Sequence, residues 1–533
     1  MAFENQTVEN EVEELSLSTA KMSVIYIGGE IISSLVTLFL LIFLARYLQP
    51  ASYGVYTIAI AFNGVLVIVS NSGIGQAFRK MIPELRQTDK TAIKEFISNG
   101  YILAFGLGLI IAIIGILASN YIAVTFYGGV NSVNASLVPQ IAMGLELASF
   151  AVLLTTIFNL TQGGLLGLGL SKEASIANIV YSIINLIAAV GLVLLGYGVV
   201  GALVGFIIGM VFGTITGTAY IYKKTGALFG RPNIKVLKKI WNFSVRLIVT
   251  YTATYGAQSF SILLLGVYAT AAILGNYGAA FKLARAIELL ISSMTFVLLG
   301  TFSAALAKKV TAAKIGELYN NSIYYTALFL LPFVAYAAAT TQPIIGLLFS
   351  TQYSFAPLYF AIIAVGMTIG LIGSYAGTLI ISKGDTKRFM KYQVGAVILQ
   401  LILLFIFTPT YQALGVLLSL FVITPLLLNF IYMRALEEQF KFKHEFNKLA
   451  RLTVSAIVVG IIMFYISSVM NQSKWALIAN AVILLLLFPP LAAFTKGITK
   501  KNLEFIENTG KRLKQLKALM DPLVKYSYIF VRE

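Results

Sequence analysis

The sequence predicts an all-α, polytopic membrane protein, on three observations that agree. Of its 533 residues 58% are hydrophobic and only 11% charged, with a mean hydropathy of +0.87. A soluble domain of that composition lacks the polar side chains to cover its own surface. Apolar runs of membrane-spanning length recur along nearly the whole chain. The lysines and arginines, finally, are gathered in alternate loops, as the positive-inside rule requires of a multi-pass protein.

The apolar runs give fourteen transmembrane helices, at about 24–46, 52–74, 98–119, 140–161, 174–196, 198–222, 243–267, 271–300, 322–348, 357–382, 392–409, 412–433, 452–470 and 474–495. With the N-terminus inside, the loops near 75–97, 162–173, 223–242, 301–321, 383–391 and 434–451 are cytoplasmic, as are both tails. These segments hold 34 of the 39 Lys and Arg. The outer loops hold only Arg46 and Lys474, each at a helix end; Arg246, Lys282 and Arg285 lie within spans. The net charge of +18 therefore reads as basic inner loops, with no nucleic acid among the expected partners. Trp241 and Trp475, the only tryptophans, fall at span borders, where an amphipathic ring sits well. The longest outer loop, 120–139, is too short for an extracellular domain. Asn134-Ala135-Ser136 and Asn471-Gln472-Ser473 match a glycosylation triplet on that side, a pattern common by chance.

Residues 1–21 read as an acidic, disordered cytoplasmic tail: Glu4, Glu9, Glu11, Glu13 and Glu14 face a single Lys21, with no signal-peptide pattern. Beyond 495 the tail (496–533) is basic. Leu513, Leu516, Met520 and Leu523 recur at helical spacing among Lys511, Arg512, Lys514 and Lys517, which fits an interfacial helix on anionic headgroups. A loosely structured basic tail fits nearly as well.

Short motifs recur in register. Tyr53-Gly54-Val55-Tyr56 opens the second span, and Leu274-Gly275-Asn276-Tyr277 opens the eighth. Gly169-Leu170-Ser171-Lys172 follows the fourth, and Gly384-Asp385-Thr386-Lys387 the tenth. Gly201-Ala202-Leu203 begins the sixth, and Gly415-Val416-Leu417 the twelfth. Each pair joins span n to span n+6, which predicts two six-helix bundles of like orientation in a parallel pseudo-twofold repeat. The N-lobe is then 22–225, the C-lobe 226–436, and the two extra helices 437–495. A cleft between such repeats is where transporters hold substrate.

Six ionisable residues lie within spans: Glu30, Glu146, Arg246, Lys282, Arg285 and Glu288. On the eighth span Lys282, Arg285 and Glu288 share an arc of roughly 120°. Three charges facing lipid would cost roughly 8–10 kcal/mol, so that arc must face protein, water or substrate. They could neutralise one another at i,i+3 spacing in a helix contact. They could instead bind phosphate, Arg as a bidentate fork and Lys as a point charge. Arg246 and Glu146 stand about one turn inside their borders, Glu30 about two. Intramembrane carboxylates are common ion carriers, so Glu30, Glu288 and Glu146 are candidates for proton or sodium coupling. Asn63, Asn178, Asn185 and Asn276 could bind sugar hydroxyls or bond between helices.

The chain has no cysteine and one histidine, His444, which reads as solvated between Lys443 and Glu445; no metal site or cofactor is expected. Gly167-Leu168-Gly169-Leu170-Ser171-Lys172 has the wrong spacing for a phosphate-binding loop, and no zinc-protease helix or serine elbow occurs, so no enzyme is expected.

The run Leu44-Ala45-Arg46-Tyr47-Leu48-Gln49-Pro50-Ala51-Ser52-Tyr53-Gly54-Val55-Tyr56 resembles the opening of polysaccharide-biosynthesis flippases, the Wzx-like branch of the multidrug/oligosaccharidyl-lipid/polysaccharide exporter superfamily. Ile82-Pro83-Glu84 and the glycine-rich openings of spans six and twelve are similar to that family too. The resemblance covers about residues 20–495. It implies a two-lobed flippase of the cell membrane that carries a polyprenyl-linked oligosaccharide to the outer leaflet. Its partners would be that lipid, the membrane lipids and glycosyltransferases or a polymerase of the same pathway. It implies that Lys282, Arg285 and then Arg246 serve a central cationic cavity that holds the sugar and phosphate head. The extra helices would form an apolar groove for the lipid tail. The second reading is a proton- or sodium-coupled multidrug extruder of the same superfamily, with Glu30 as the coupling group. An intramembrane glycosyltransferase is disfavoured by the short, nearly uncharged outer loops.

Overall fold

Every regular element among the described residues is helical. The computed structural model describes residues 2–71, 73–88, 90–128, 134–226, 230–251, 256–442, 444–512, 522 and 524–531; at 2–24, 86–88, 90–91, 246–251, 289–290, 293, 296, 505 and 508–512 this extends to the backbone only. In chain order the helices are α1 (Ala2–Asn71), α2 (Ile74–Thr88), α3 (Lys90–Ile122), α4 (Val138–Gly167), α5 (Ser171–Leu192), α6 (Gly198–Thr225), α7 (Ile234–Tyr251), α8 (Ala257–Tyr268) and α9 (Ala271–Ala307). Then come α10 (Ala312–Ala339), α11 (Thr341–Leu348), α12 (Ala356–Ile369), α13 (Leu371–Ser382), α14 (Thr386–Leu417), α15 (Thr424–Phe440), α16 (Phe446–Val469), α17 (Trp475–Phe494) and α18 (Lys500–Arg512).

Among the described residues nine helical stretches are long and apolar enough to cross a membrane. Three of them are too long for one crossing: Ile25–Asn71 has 47 residues, and Ser171–Thr225 and Thr386–Phe440 have 55 each. At 1.5 Å per residue, 55 residues reach roughly 80 Å, against about 30 Å of hydrocarbon. Each breaks where the sequence places a turn between spans. Gln49 (φ 61°) precedes Pro50, Gly198 has φ 51° and ψ −129°, and Gln412 has φ 48° and ψ −124°. The expected spans 243–267 and 271–300 fall on α7–α8 and α9, which are not among the nine.

The backbone carries the internal repeat. Gly198 and Gln412, 214 residues apart, adopt the same rare conformation, in the register of the Gly201 and Gly415 motifs. Gly169 (φ 77°) and Gly384 (φ 89°) form matching left-handed turns before α5 and α14.

Packing divides the chain into two units, Met1–Gly278 and Ala279–Glu533, with the division inside α9. The first unit closes on a core that includes Phe78, Phe96, Ile97, Leu160, Leu165, Ile221 and Ile240. Its short α2 buries Ile74, Ala77, Phe78, Met81 and Ile82, at the i, i+3, i+4, i+7, i+8 spacing of one helical face. That burial turns Gln76 and Arg79 the other way. The second unit closes on Tyr319, Tyr375, Leu379, Leu436, Leu452 and Met463.

Some expectations fail. His444 is not solvated: its side chain is 3% exposed, with ring centroids of Tyr319, Phe442 and Phe446 at 5.6, 5.4 and 5.5 Å. Three aromatic neighbours bury the imidazole body, which a count of flanking charges does not reveal. α1 runs back to Ala2, through the acidic tail that the sequence marks as disordered. Residues 2–27 contain neither Gly nor Pro to stop a helix. In the basic tail, α18 buries Leu503 and Ile506 in the core of the second unit. Leu513, Leu516, Met520 and Leu523, the expected interfacial stripe, lie outside the described residues. Asn134 is 2% exposed and committed to the backbone: its amide donates to the carbonyls of Gly266 (3.2 Å) and Ala269 (2.9 Å) and accepts from Ala271 N–H (2.8 Å).

Candidate functional site

In the first unit a polar cavity of about 550 Å³ opens among α1, α2, α4, α5 and α8. Glu30 lines it, and its carboxylate accepts a hydrogen bond from Asn178 Nδ2 at 2.8 Å. That bond is one rung of a polar seam between α1 and α5. Ser175 Oγ donates to the Ile25 carbonyl at 3.3 Å on one side, and Ser33 meets Ser182 on the other. Tyr26, Asn71, Gln76, Arg79, Asn159 and Gln162 complete the polar lining. Asn71 Oδ1 and Gln162 Oε1 are buried and find no hydrogen-bond partner among the described residues. The cavity thus offers one carboxylate, one guanidinium and several neutral amides.

Arg79 was missed by the sequence reading, which set it in an inner loop. The signal was present: the apolar stripe of α2 turns Arg79 away from the core, and Gly73 (φ 82°) turns the chain into α2, which packs closely on α4 at Gly75 and Gly163.

In the second unit α9 carries the other charges. Arg285 Nε lies 3.5 Å from Glu288 Oε2, and the two side chains are 51% and 48% exposed. Lys282, one turn earlier, is half-buried. The i,i+3 pairing foreseen as an alternative therefore holds for Arg285 and Glu288, but not inside a closed helix contact. Glu288 also lines a second polar cavity, of about 500 Å³, with residues of α13, α14 and α15. Behind it lies an apolar groove of about 580 Å³, walled by Ala327, Leu331 and Val334 of α10, Val365 of α12, and Ala456 and Phe464 of α16.

Asn429 of α15 lines both spaces. Its Oδ1 accepts from Gly373 N–H at 2.7 Å, and its Nδ2 donates to the Ile369 carbonyl at 2.7 Å. It thereby holds the break at Gly370 that separates α12 from α13. Of the two extra helices expected to form a tail groove, α16 supplies a wall and α17 supplies none of the lining.

The remaining candidates are dispersed. Glu146 is exposed on α4. Asn276 is 2% exposed and donates to the Ala272 carbonyl of its own helix at 2.8 Å. Asn63 donates to the Ala148 carbonyl at 2.9 Å. Arg246 lies on α7, and its side chain is outside the described residues. Among the described residues no cluster of His, Cys, Asp and Glu could hold a metal ion.

A family model described as "Polysaccharide biosynthesis protein" matches residues 43–356, more than half of the chain. The chain belongs to the polysaccharide biosynthesis protein family. Among solved structures, this family member resembles the lipid II flippase MurJ in an inward closed conformation, with a TM-score of 0.71 at 16% identity, covering 88% of this chain and 98% of that one. It also resembles an inward-facing multidrug resistance MATE family transporter of the MOP superfamily, with a TM-score of 0.65 at 16% identity and coverage of 77% and 94%. A MOP superfamily transporter from Pyrococcus furiosus gives 0.54 at 17% identity, covering 80% and 95%. Among curated proteins none matches. This chain is thus a multi-pass membrane protein whose fold is that of the MurJ and MATE structures.

Proposed function

We propose that this protein flips a polyprenyl-(pyro)phosphate-linked oligosaccharide from the cytoplasmic to the outer leaflet of the cell membrane by alternating access, for polysaccharide or glycoprotein glycan assembly. The observation that carries the reading is the second unit's polar cavity and apolar groove, set back to back on Asn429. That is the chemistry of an amphiphile, a polar head with a long tail. Lys282 and Arg285, then Arg246, would meet the phosphate. Glu30, Glu288 and Glu146 would carry the coupling ion.

Support comes from the family description, and from the MurJ structure's name, which calls that protein a lipid II flippase. One observation favours the second reading, an ion-coupled multidrug extruder: Glu30 on the first span lines a polar cavity, among neutral amides and with Arg79 as its guanidinium. Purified protein in vesicles, supplied in parallel with a polyprenyl diphosphate oligosaccharide and with a cationic dye, separates the two. The proposal expects the glycolipid to change leaflet and the dye to stay; the converse would reverse the order of the readings.

A further inference from the structure

The polar cavity of the second unit has a hydrogen-bonding character that selects its ligand. Ser374 and Thr378 of α13 spend their hydroxyl protons on the carbonyls of Gly370 and Ser374, at 3.0 and 2.8 Å. Thr424 does the same toward Ser419, at 2.8 Å. A hydroxyl bonded in this way has only lone pairs left to offer. Gln393 and Gln400 stand seven residues apart on one face of α14, and neither amide meets a protein partner among the described residues. The Tyr432 ring lies over Gly373 and Gly377 of α13, stacked on Phe389 at 6.2 Å; Tyr432 is 2% exposed and its hydroxyl has no partner among the described residues.

Among the described residues this lining is rich in acceptors, and its one charged side chain, Glu288, is paired with Arg285. A phosphate has no protons to give to those lone pairs, and beside Glu288 it would compete with the carboxylate for Arg285. An amine would find that carboxylate already paired with Arg285. A neutral polyol fits, because each sugar hydroxyl both donates and accepts, meeting the spent hydroxyls as a donor and the free amides as either. We infer that this cavity is a glycan subsite, in which Gln393, Gln400 and Tyr432 with the α13 hydroxyls bind sugar hydroxyl groups, apart from the cations that bind the carrier's phosphate. This rests on the flippase reading above, and assigns the sugar-bearing end of that substrate to α13, α14 and α15.

The test compares two probes on protein in nanodiscs: a polyprenyl diphosphate, bare or bearing an N-acetylhexosamine oligosaccharide. Wild-type protein should bind the glycosylated carrier at least tenfold tighter than the bare one. The triple variant Gln393→Leu/Gln400→Leu/Tyr432→Phe should keep its affinity for the bare carrier and lose that tenfold difference. Retained bare-carrier binding also reports that the variant is folded. Should the triple variant lose it, Gln393→Leu and Gln400→Leu alone decide by the same comparison. A variant that keeps the full preference overturns the subsite and leaves the flippase reading standing, the cavity then holding only water. Wild-type protein that binds neither carrier overturns both.

Discussion

Gly54 and Gly275 pack on one another as repeat equivalents. A Cβ on Gly54 would overlap the Ala271 carbonyl, and a Cβ on Gly275 would overlap the Pro50 carbonyl. Each hypothetical Cβ would also stand 3.1 Å from the other glycine's nitrogen. Ala271 and Pro50 are each four residues before the glycine of their own helix, so the contact has local twofold symmetry. Small residues at such crossings let backbones approach where no hydrophobic driving force assists. Gly54→Ala and Gly275→Ala should each cost about 1–3 kcal/mol by overpacking. The double variant should cost less than the sum, because one separation of the helices relieves both overlaps. Thermal unfolding in detergent measures all three.

Gln412 occupies a conformation that its repeat equivalent meets with Gly198. A side chain at φ 48° and ψ −124° is strained, at a cost of order 1–3 kcal/mol. Gln412→Gly should therefore raise the unfolding temperature, by the strain relieved less the roughly 0.5–1 kcal/mol that glycine's extra unfolded freedom removes. Gly198→Gln should lower it. An unfolding temperature that falls for Gln412→Gly contradicts the assignment of strain.

Asn134 ties the turn before α4 to the junction of α8 and α9 through three hydrogen bonds. At about 1 kcal/mol each, Asn134→Ala should lose about 2–3 kcal/mol. Intact-mass analysis of protein made in a glycosylating host should show no glycan on Asn134, because its amide is already committed.

Glu30→Gln keeps an oxygen for Asn178 Nδ2 while removing the charge. The variant should insert and fold as wild type, yet transport should no longer be accelerated by an imposed proton or sodium gradient. Initial rates with and without each gradient measure this. A variant still driven by the gradient removes Glu30 from the coupling role.

The fold was legible because hydrophobic run length and loop charge act over whole segments. So was the repeat, whose weak Gly201 and Gly415 motifs mark a shared backbone conformation at Gly198 and Gln412. The site was legible only in part. Lys282, Arg285 and Glu288 announce themselves because charge inside a bilayer is expensive. Gln393, Gln400 and Tyr432 do not, since neutral polar groups in helices are as often structural as functional. Asn276 shows the converse: its amide bonds back to its own helix. His444 was misread for a related reason, because flanking charges say nothing about aromatic rings arriving from α10 and α16.

The central claim is that cations on α9 hold the phosphate of a lipid-linked glycan. Its most direct measurement is the initial rate of glycolipid flipping by Lys282→Gln/Arg285→Gln in proteoliposomes. Charge-assisted contacts contribute about 1.5–3 kcal/mol each, so losing two should slow flipping at least roughly a hundredfold while the protein still inserts and folds. A double variant that flips at the wild-type rate contradicts the account.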